Sequence, residues 1–130
     1  MRSVAARILL VQNGDHSRRA YRLNLELAGF SVCEAGDGEQ ALRLARETQL
    51  ELIILDLALP VLDGWVVLGE LKTDEALRSI PVVILTASAE ETVELQARER
   101  GAIAFLAKPI AIDDLTSAIH RTLANHEGCR

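Results

Sequence analysis

A doubly wound α/β fold around a parallel sheet is predicted by three observations. Short apolar runs alternate strictly with segments of helical spacing, and the connections between them are short. Three of the runs, Ile8-Leu9-Leu10-Val11, Leu52-Ile53-Ile54-Leu55 and Val82-Val83-Ile84-Leu85, are continuous. Such runs belong to strands covered on both faces. Alternation of this kind forces parallel pairing, right-handed crossovers and helices on both sides of the sheet.

Taken in order, Ile8 to Val11 is strand one. Ala20, Leu23 and Leu27 follow i, i+3, i+7 and mark the buried stripe of a first helix, which Gly29 stops. Ser31 to Ala35 is a weaker strand, and Ala41, Leu44 and Ala45 carry the stripe of helix two. Strand three is Leu52 to Leu55; Asp63 caps helix three, at whose start Trp65 is a partly buried packing residue. After strand four, Val82 to Leu85, helix four has a thin stripe: Val93 and Ala97, with Gln96 and Arg100 nearby, ending at Gly101. Thin packing makes a helix easier to shift. Ile103 to Ala107 is a weak fifth strand; Leu115, Ala118, Ile119 and Leu123 lie on helix five, which runs out near Asn125. Strong strands one, three and four belong in the centre and weak strands two and five at the edges. That selects the order 2-1-3-4-5, the flavodoxin-like (βα)5 arrangement. A single domain is expected over 1–130, its core from about 7 to 124, with a short polar tail over 125–130 and no room for an output domain.

Composition narrows the function. Hydrophobic residues make up 49% and aromatics 3%, so the core is aliphatic. Fourteen basic against nineteen acidic side chains give a net charge of -5. With no basic run to reverse it locally, that charge argues against nucleic acid as a partner. The longest apolar run, Leu52 to Leu62, is broken by Asp56 and Pro60, which argues against a membrane span, and Ile8 to Val11 is too short for a signal-peptide core. Cys33 and Cys129 fit no metal or redox spacing; two reduced thiols in a cytoplasmic protein are expected, although an exposed Cys129 could link two chains artificially.

In an open parallel sheet, sites form beyond the carboxyl ends of the strands, where the winding reverses. Strand one ends in Gln12-Asn13, strand three in Asp56, strand four in Thr86 and strand five in Lys108-Pro109. Each has a bland reading: an Asp after a strand caps the next helix, a Thr ends a strand, a Lys before proline is a solvated loop charge. Asp63 is the better cap for helix three, which frees Asp56. A carboxylate, a hydroxyl and an ammonium then share one crevice, an arrangement suited to accepting a phosphoryl group.

The segments RILLVQNGD, LIILDLALPVLDG, VVILTAS and FLAKP, together with GDGEQAL at Gly36 to Leu42, occur in an order and spacing that resemble the response-regulator receiver family. The resemblance covers Arg7 to about Leu123. It implies Asp56 as phosphoacceptor, Lys108 as the phosphoryl-contacting cation, and Thr86 as the hydroxyl that shifts toward the phosphoryl group. Phe105 is then the aromatic whose rotamer tracks that shift, and the Lys108–Pro109 bond is cis. The resemblance further implies a histidine kinase or phosphotransfer protein as donor, docking near helix one where Arg18, Arg19 and Arg22 form a basic face. A solvated helix surface is the plain reading of those arginines. A downstream protein target is implied as well, with dimerisation or target contact through helix four, strand five and helix five.

One departure matters. Receivers carry two adjacent acidic residues at the end of strand one to hold Mg²⁺; here Gln12-Asn13 stand there. Asp56, the backbone carbonyl of Ala58 and the Asn13 amide remain as ligands, so weakened Mg²⁺ binding is expected. Asp15 reads as an N-cap of helix one rather than a substitute ligand. The alternative is a pseudo-receiver that binds partners without phosphorylation. A dinucleotide-binding reading draws on Gly36-Asp37-Gly38-Glu39-Gln40-Ala41, a G-x-G-x-x-A pattern with Asp56 where a ribose-binding acid belongs. It places the crevice at an edge strand and sets Glu34, Asp37 and Glu39 against pyrophosphate. A phosphatase with an Asp nucleophile wants a general acid two residues on, where this chain has Ala58.

Overall fold

The computed structural model describes residues 5–88 and 90–128. Five strands and five helices alternate: β1 Arg7–Val11, α1 Asp15–Leu27, β2 Ser31–Ala35, α2 Gly38–Glu47, β3 Leu52–Leu55, α3 Gly64–Thr73, β4 Val82–Thr86, α4 Glu91–Glu99, β5 Ala104–Ala107 and α5 Ile112–Gly128. All pairings are parallel and the strand order is β2-β1-β3-β4-β5, as the apolar runs required.

Alternate side chains of the central strands serve two cores. Leu9, Val11, Ile53, Leu55, Val82 and Ile84 pack with Ala41, Ala45, Val67, Leu71 and Ala97, on the side of α2, α3 and α4. Ile8, Leu10, Leu52, Ile54, Val83 and Leu85 meet Leu25, Leu115 and Ile119 from α1 and α5. Burying each of these branched side chains stabilises the fold by about 1.5–3 kcal/mol relative to exposure. Gly29 and Gly101 follow α1 and α4 at φ 104° and 111°, the left-handed conformation that ends a helix at glycine.

Five expectations need correction. The stripe assigned to the core of α1 faces out: Leu23 is 60% and Leu27 85% exposed, and Ala20 is exposed as well. The buried edge is instead Leu25, flanked by half-buried Arg18, Tyr21 and Arg22. Arginine can bury its stem and satisfy its head with carboxylates, so here ion pairing outweighed the apolar pattern. Consequently Arg18 and Arg22 do not join Arg19 in a basic face; both pair with Glu34 of β2, at 2.8 and 2.6 Å. Asp15 is not the cap: Gly14 occupies the N-cap position and Asp15 pairs with Arg18 at 2.8 Å. The polar end is helical, α5 continuing past Asn125 to Gly128. β5 also starts one residue late, at Ala104. Cys129 lies outside the described residues, and Cys33 is a free, half-buried thiol.

Other side chains sit as expected. Asp63 Oδ1 accepts from the Trp65 N–H at 2.7 Å, and Trp65 packs partly buried under Arg100, whose guanidinium carbon lies 5.0 Å from the ring centroid. Within α4 only Ala97 is fully buried, as the thin stripe implied. Lys72 of α3 ties down the connection between its own helix and β4. Its Nζ donates to Arg78 O at 3.1 Å and Ile80 O at 2.8 Å, and burial pushes its pKa down.

Between β3 and α3 the chain makes a tight three-residue turn, Leu62 N–H donating to Pro60 O at 2.7 Å with Val61 at φ 68°. A β-branched residue is poorly suited to positive φ, and Val61 is 71% exposed, so no packing compensates the strain. Val61→Asn is therefore expected to raise stability by about 1 kcal/mol. Thermal melts of the two proteins check it; a variant no more stable than the parent contradicts the strain argument.

Candidate functional site

The site begins with strand ends held in step. Asp56 N–H donates to Val11 O at 2.9 Å, and Lys108 N–H to Thr86 O at 2.9 Å. Strand pairing thus brings Asp56, Thr86 and Lys108 together from three elements. The Lys108 ammonium lies 2.8 Å from Asp56 Oδ2. Thr86 Oγ1 donates to Asp56 Oδ1 at 3.2 Å, and the Ala58 N–H to the same oxygen at 3.1 Å. The Asp56 side chain is 6% exposed and that of Lys108 20%. A buried carboxylate is tolerable only when paired and hydrogen-bonded, and both conditions hold here. The Lys108–Pro109 peptide is cis. Phe105 is half-buried against the core on the α4 side.

Gln12 and Asn13 behave differently from each other. Gln12 is wholly buried; its Nε2 donates to Val11 O at 2.9 Å and reaches Leu85 O at 3.5 Å. Those carbonyls fix which end of the amide is nitrogen. Its Oε1 is buried with no hydrogen-bond partner. An orphaned acceptor of this kind costs about 1–3 kcal/mol unless a donor arrives. Asn13 is exposed, and its side chain makes no hydrogen bond among the described residues.

Among the described residues no group of three or more His, Cys, Asp or Glu stands ready for a metal ion. The oxygen-bearing groups at these strand ends are the Asp56 carboxylate, the Ala58 carbonyl, the exposed Asn13 amide and the buried, unpartnered Gln12 Oε1. They fit a hard cation in kind, since such ions take oxygen ligands. They fall short in charge, because Asp56 is the only anion among them and already holds Lys108.

Two residues near the site have roles that the sequence did not show. Arg18 Nη1 donates to Gln12 O at 3.0 Å while Nε and Nη2 serve Glu34 and Asp15, so one guanidinium anchors the turn after β1. Tyr21 packs beside Ile110; burial and the nearby charge of Asp56 push its phenol up, opposed by a hydrogen bond with the Ile110 backbone. The only signal for either was spacing on α1, and a polar residue on a core face is invisible to a purely apolar pattern.

Burial pushes Glu34 up, yet the hydrogen bonds from Arg22 and Arg18 outweigh it and hold the carboxyl below the usual 4.5. A carboxyl depressed on folding contributes stability above its unfolded pKa, lost as pH falls through the folded value. Glu34→Gln is expected to cost about 1–3 kcal/mol at neutral pH and to flatten the acid limb of the stability profile below the ordinary glutamate range. Urea titrations across that range check both effects; an unchanged acid limb contradicts them.

The G-x-G-x-x-A turn is occupied by its own chain. Asp37 Oδ1 accepts from the Gln40 N–H at 2.8 Å, Gln40 Oε1 accepts from the Gly36 N–H at 2.9 Å, and Gly38 N–H donates to Pro60 O at 3.4 Å. A Cβ on Gly38 would collide with Leu62 and Val67, so the loop after β3 fills the space a pyrophosphate needs. No helix among the described residues is long and apolar enough to cross a membrane.

Residues 8–120 match the family model described as response regulator receiver domain. The polar-differentiation response regulator DivK of Brucella ovis is 33% identical over 118 residues, 91% of this chain and 96% of DivK. The DNA-binding dual master transcriptional regulator RpaA of Synechocystis is 35% identical over 117 residues, 90% of this chain but 48% of RpaA. The chain thus spans about half the length of RpaA and nearly all of DivK. Among solved structures, the receiver domain of sensor histidine kinase PA1611 from Pseudomonas aeruginosa superposes with a TM-score of 0.86 at 30% identity, covering 93% of this chain and 99% of that one. That structure has a magnesium ion coordinated in its active site cleft.

Proposed function

This chain belongs to the response-regulator receiver family of two-component signalling, and from that premise we propose that Asp56 accepts a phosphoryl group and that the switch works with weakened Mg²⁺ binding. The observation that carries the proposal is the buried Asp56 carboxylate held by Lys108, Thr86 and the Ala58 N–H. In the transfer, an Asp56 oxygen bonds to phosphorus as the bond to the donor breaks, and that electron pair leaves with the donor. Lys108 then neutralises charge on the transferred oxygens. Thr86 follows the new phosphoryl oxygens, and Phe105, packed half-buried beside α4, responds. A bound Mg²⁺ would add neutralisation of the phosphoryl oxygens, held by Asp56, the Ala58 carbonyl and the Asn13 amide.

The donor is a histidine kinase or phosphotransfer protein, and the target is another protein met through α4, β5 and α5, where Leu95 and Ile103 are exposed. The same face serves a homodimer. A net charge of -5 supports a protein rather than nucleic acid as target, and a cytoplasmic setting follows from the signalling role. A second reading, the phosphorylation-independent pseudo-receiver, is favoured by one observation: neutral Gln12 and Asn13 leave Asp56 as the lone anionic ligand.

Intact-mass spectrometry after incubation with acetyl phosphate, with and without Mg²⁺, separates the two. A single slow adduct that grows with Mg²⁺ is expected, and none with Asp56→Asn. If no adduct forms at any Mg²⁺ concentration while a receiver with the full acidic pair is labelled in parallel, the pseudo-receiver reading replaces the first.

A further inference from the structure

The turn that separates β1 from α1 carries a reactive pair of residues. We propose that the Asn13–Gly14 step is a deamidation site, and that the carboxylate it generates completes the cation-binding side of the Asp56 pocket. The second half rests on the reading of that pocket given above.

The chemistry needs no partner but water. The Gly14 backbone nitrogen loses its proton and attacks Asn13 Cγ; the carbon–nitrogen bond of the side-chain amide breaks and ammonia leaves. The resulting five-membered imide is opened by water. Opening at Cγ gives aspartate, and opening at the main-chain carbonyl gives isoaspartate, with the main chain rerouted through the side chain. Either way one amide and one water become one carboxylic acid and one ammonia. Nothing is oxidised or reduced.

Several features favour the reaction at this residue. Asn13 is exposed, so water reaches it, and no hydrogen bond restrains its amide among the described residues. Gly14 has no side chain to block the approach, and a Cβ there would meet nothing within 4 Å, so no packing shields the backbone. Its φ of 96° and its place as the N-cap put it outside the hydrogen-bonded helix, and its N–H has no acceptor among the described residues. Lying at the start of a 13-residue helix, residue 13 also feels the positive end of the α1 dipole, which favours both the deprotonated nitrogen and the anionic product. The other two asparagines are unsuited. Asn24 lies within α1 with its Nδ2 donating to Ala20 O at 2.9 Å, and Asn125 lies within α5.

The consequence follows from what the pocket lacks. Its oxygens suit a hard cation, but Asp56 is the only anion among them. A carboxylate at residue 13 supplies a second, while Arg18, bonded to Gln12 O at 3.0 Å, keeps the strand end anchored during the change. Conversion is slow and one-way, so a population of this protein would shift with age from weak to strong cation binding.

The test needs no phosphodonor, so its failure is distinguishable from failure of the phosphoacceptor reading. Full-length protein is held warm at mildly alkaline pH, and its acidic form is separated by ion exchange. Peptide mapping then locates any exchange of NH2 for OH, and calorimetry measures Mg²⁺ binding beside fresh protein, Asn13→Asp and Asn13→Gln. The expected result is new acidic protein changed only at residue 13, as aspartate and isoaspartate, whose aspartate form binds Mg²⁺ at least about tenfold more tightly than fresh protein, as Asn13→Asp also does. Asn13→Gln, whose longer side chain cannot close the five-membered ring, neither ages nor tightens. Residue 13 unchanged after prolonged ageing overturns the modification. A changed residue 13, or Asn13→Asp, that binds Mg²⁺ no better than fresh protein overturns its consequence.

Discussion

Alanine at position 64 is expected to lower stability by about 3 kcal/mol or more, a large share of the 5–15 kcal/mol typical of a domain. Gly64 is the buried first residue of α3, its N–H donating to Leu57 O at 3.0 Å. A Cβ there would stand 2.5 Å from Leu57 Cα, 2.7 Å from Leu57 O and closer still to Asp56 O. All three are backbone atoms, so no rotamer change relieves the overlap; the loop after β3 must move and take Asp56 with it. Gly69→Ala is the matched control, because a Cβ at that exposed helical position meets nothing within 4 Å. It is expected to gain about 0.5–1 kcal/mol from helix propensity. Urea unfolding of both variants decides the matter, and a Gly64→Ala protein as stable as its parent would refute the close approach.

The double replacement Gln12→Asp with Asn13→Asp should do the opposite at the pocket: tighten Mg²⁺ binding by at least about a hundredfold while destabilising the metal-free protein. The two effects have one cause. Gln12 Nε2 now donates to Val11 O at 2.9 Å and approaches Leu85 O at 3.5 Å. An aspartate loses those bonds and buries a second carboxylate near Asp56, at a cost of about 3–5 kcal/mol without a counter-ion. Binding of a cation to the folded state alone recovers that stability by mass action. Melting temperature measured against Mg²⁺ concentration should therefore rise steeply in the double variant and little in the parent. Equal slopes would mean that residues 12 and 13 do not face a cation at all.

What could be read from the sequence follows the physics of each signal. The continuous runs of β1, β3 and β4 can only be strands buried on two faces, so the strand order and the meeting of Asp56, Thr86 and Lys108 came with them. Asp63 and Gly101 carry local backbone chemistry and were legible for the same reason. In α1 the periodicity of apolar residues does not mark the core. Leu23 and Leu27 satisfy that periodicity on the solvent side, whereas the buried edge is built from Arg18, Tyr21 and Arg22 with Glu34 across on β2. Such a face depends on a carboxylate from another element and has no signature within the helix itself. Gln12 was legible only in part. Its identity showed that a charge was missing, but the unpartnered oxygen exists only once the strand ends are assembled.

The chain holds a single tryptophan, and it lies under the guanidinium of Arg100, the residue that closes α4. A cation over an indole face perturbs the excited state of the ring as well as its ground-state energy. Every displacement of α4 that withdraws Arg100 must therefore change the emission of Trp65, with no competing signal from a second indole. The protein carries its own optical gauge of helix position, ready for stopped-flow work without a label.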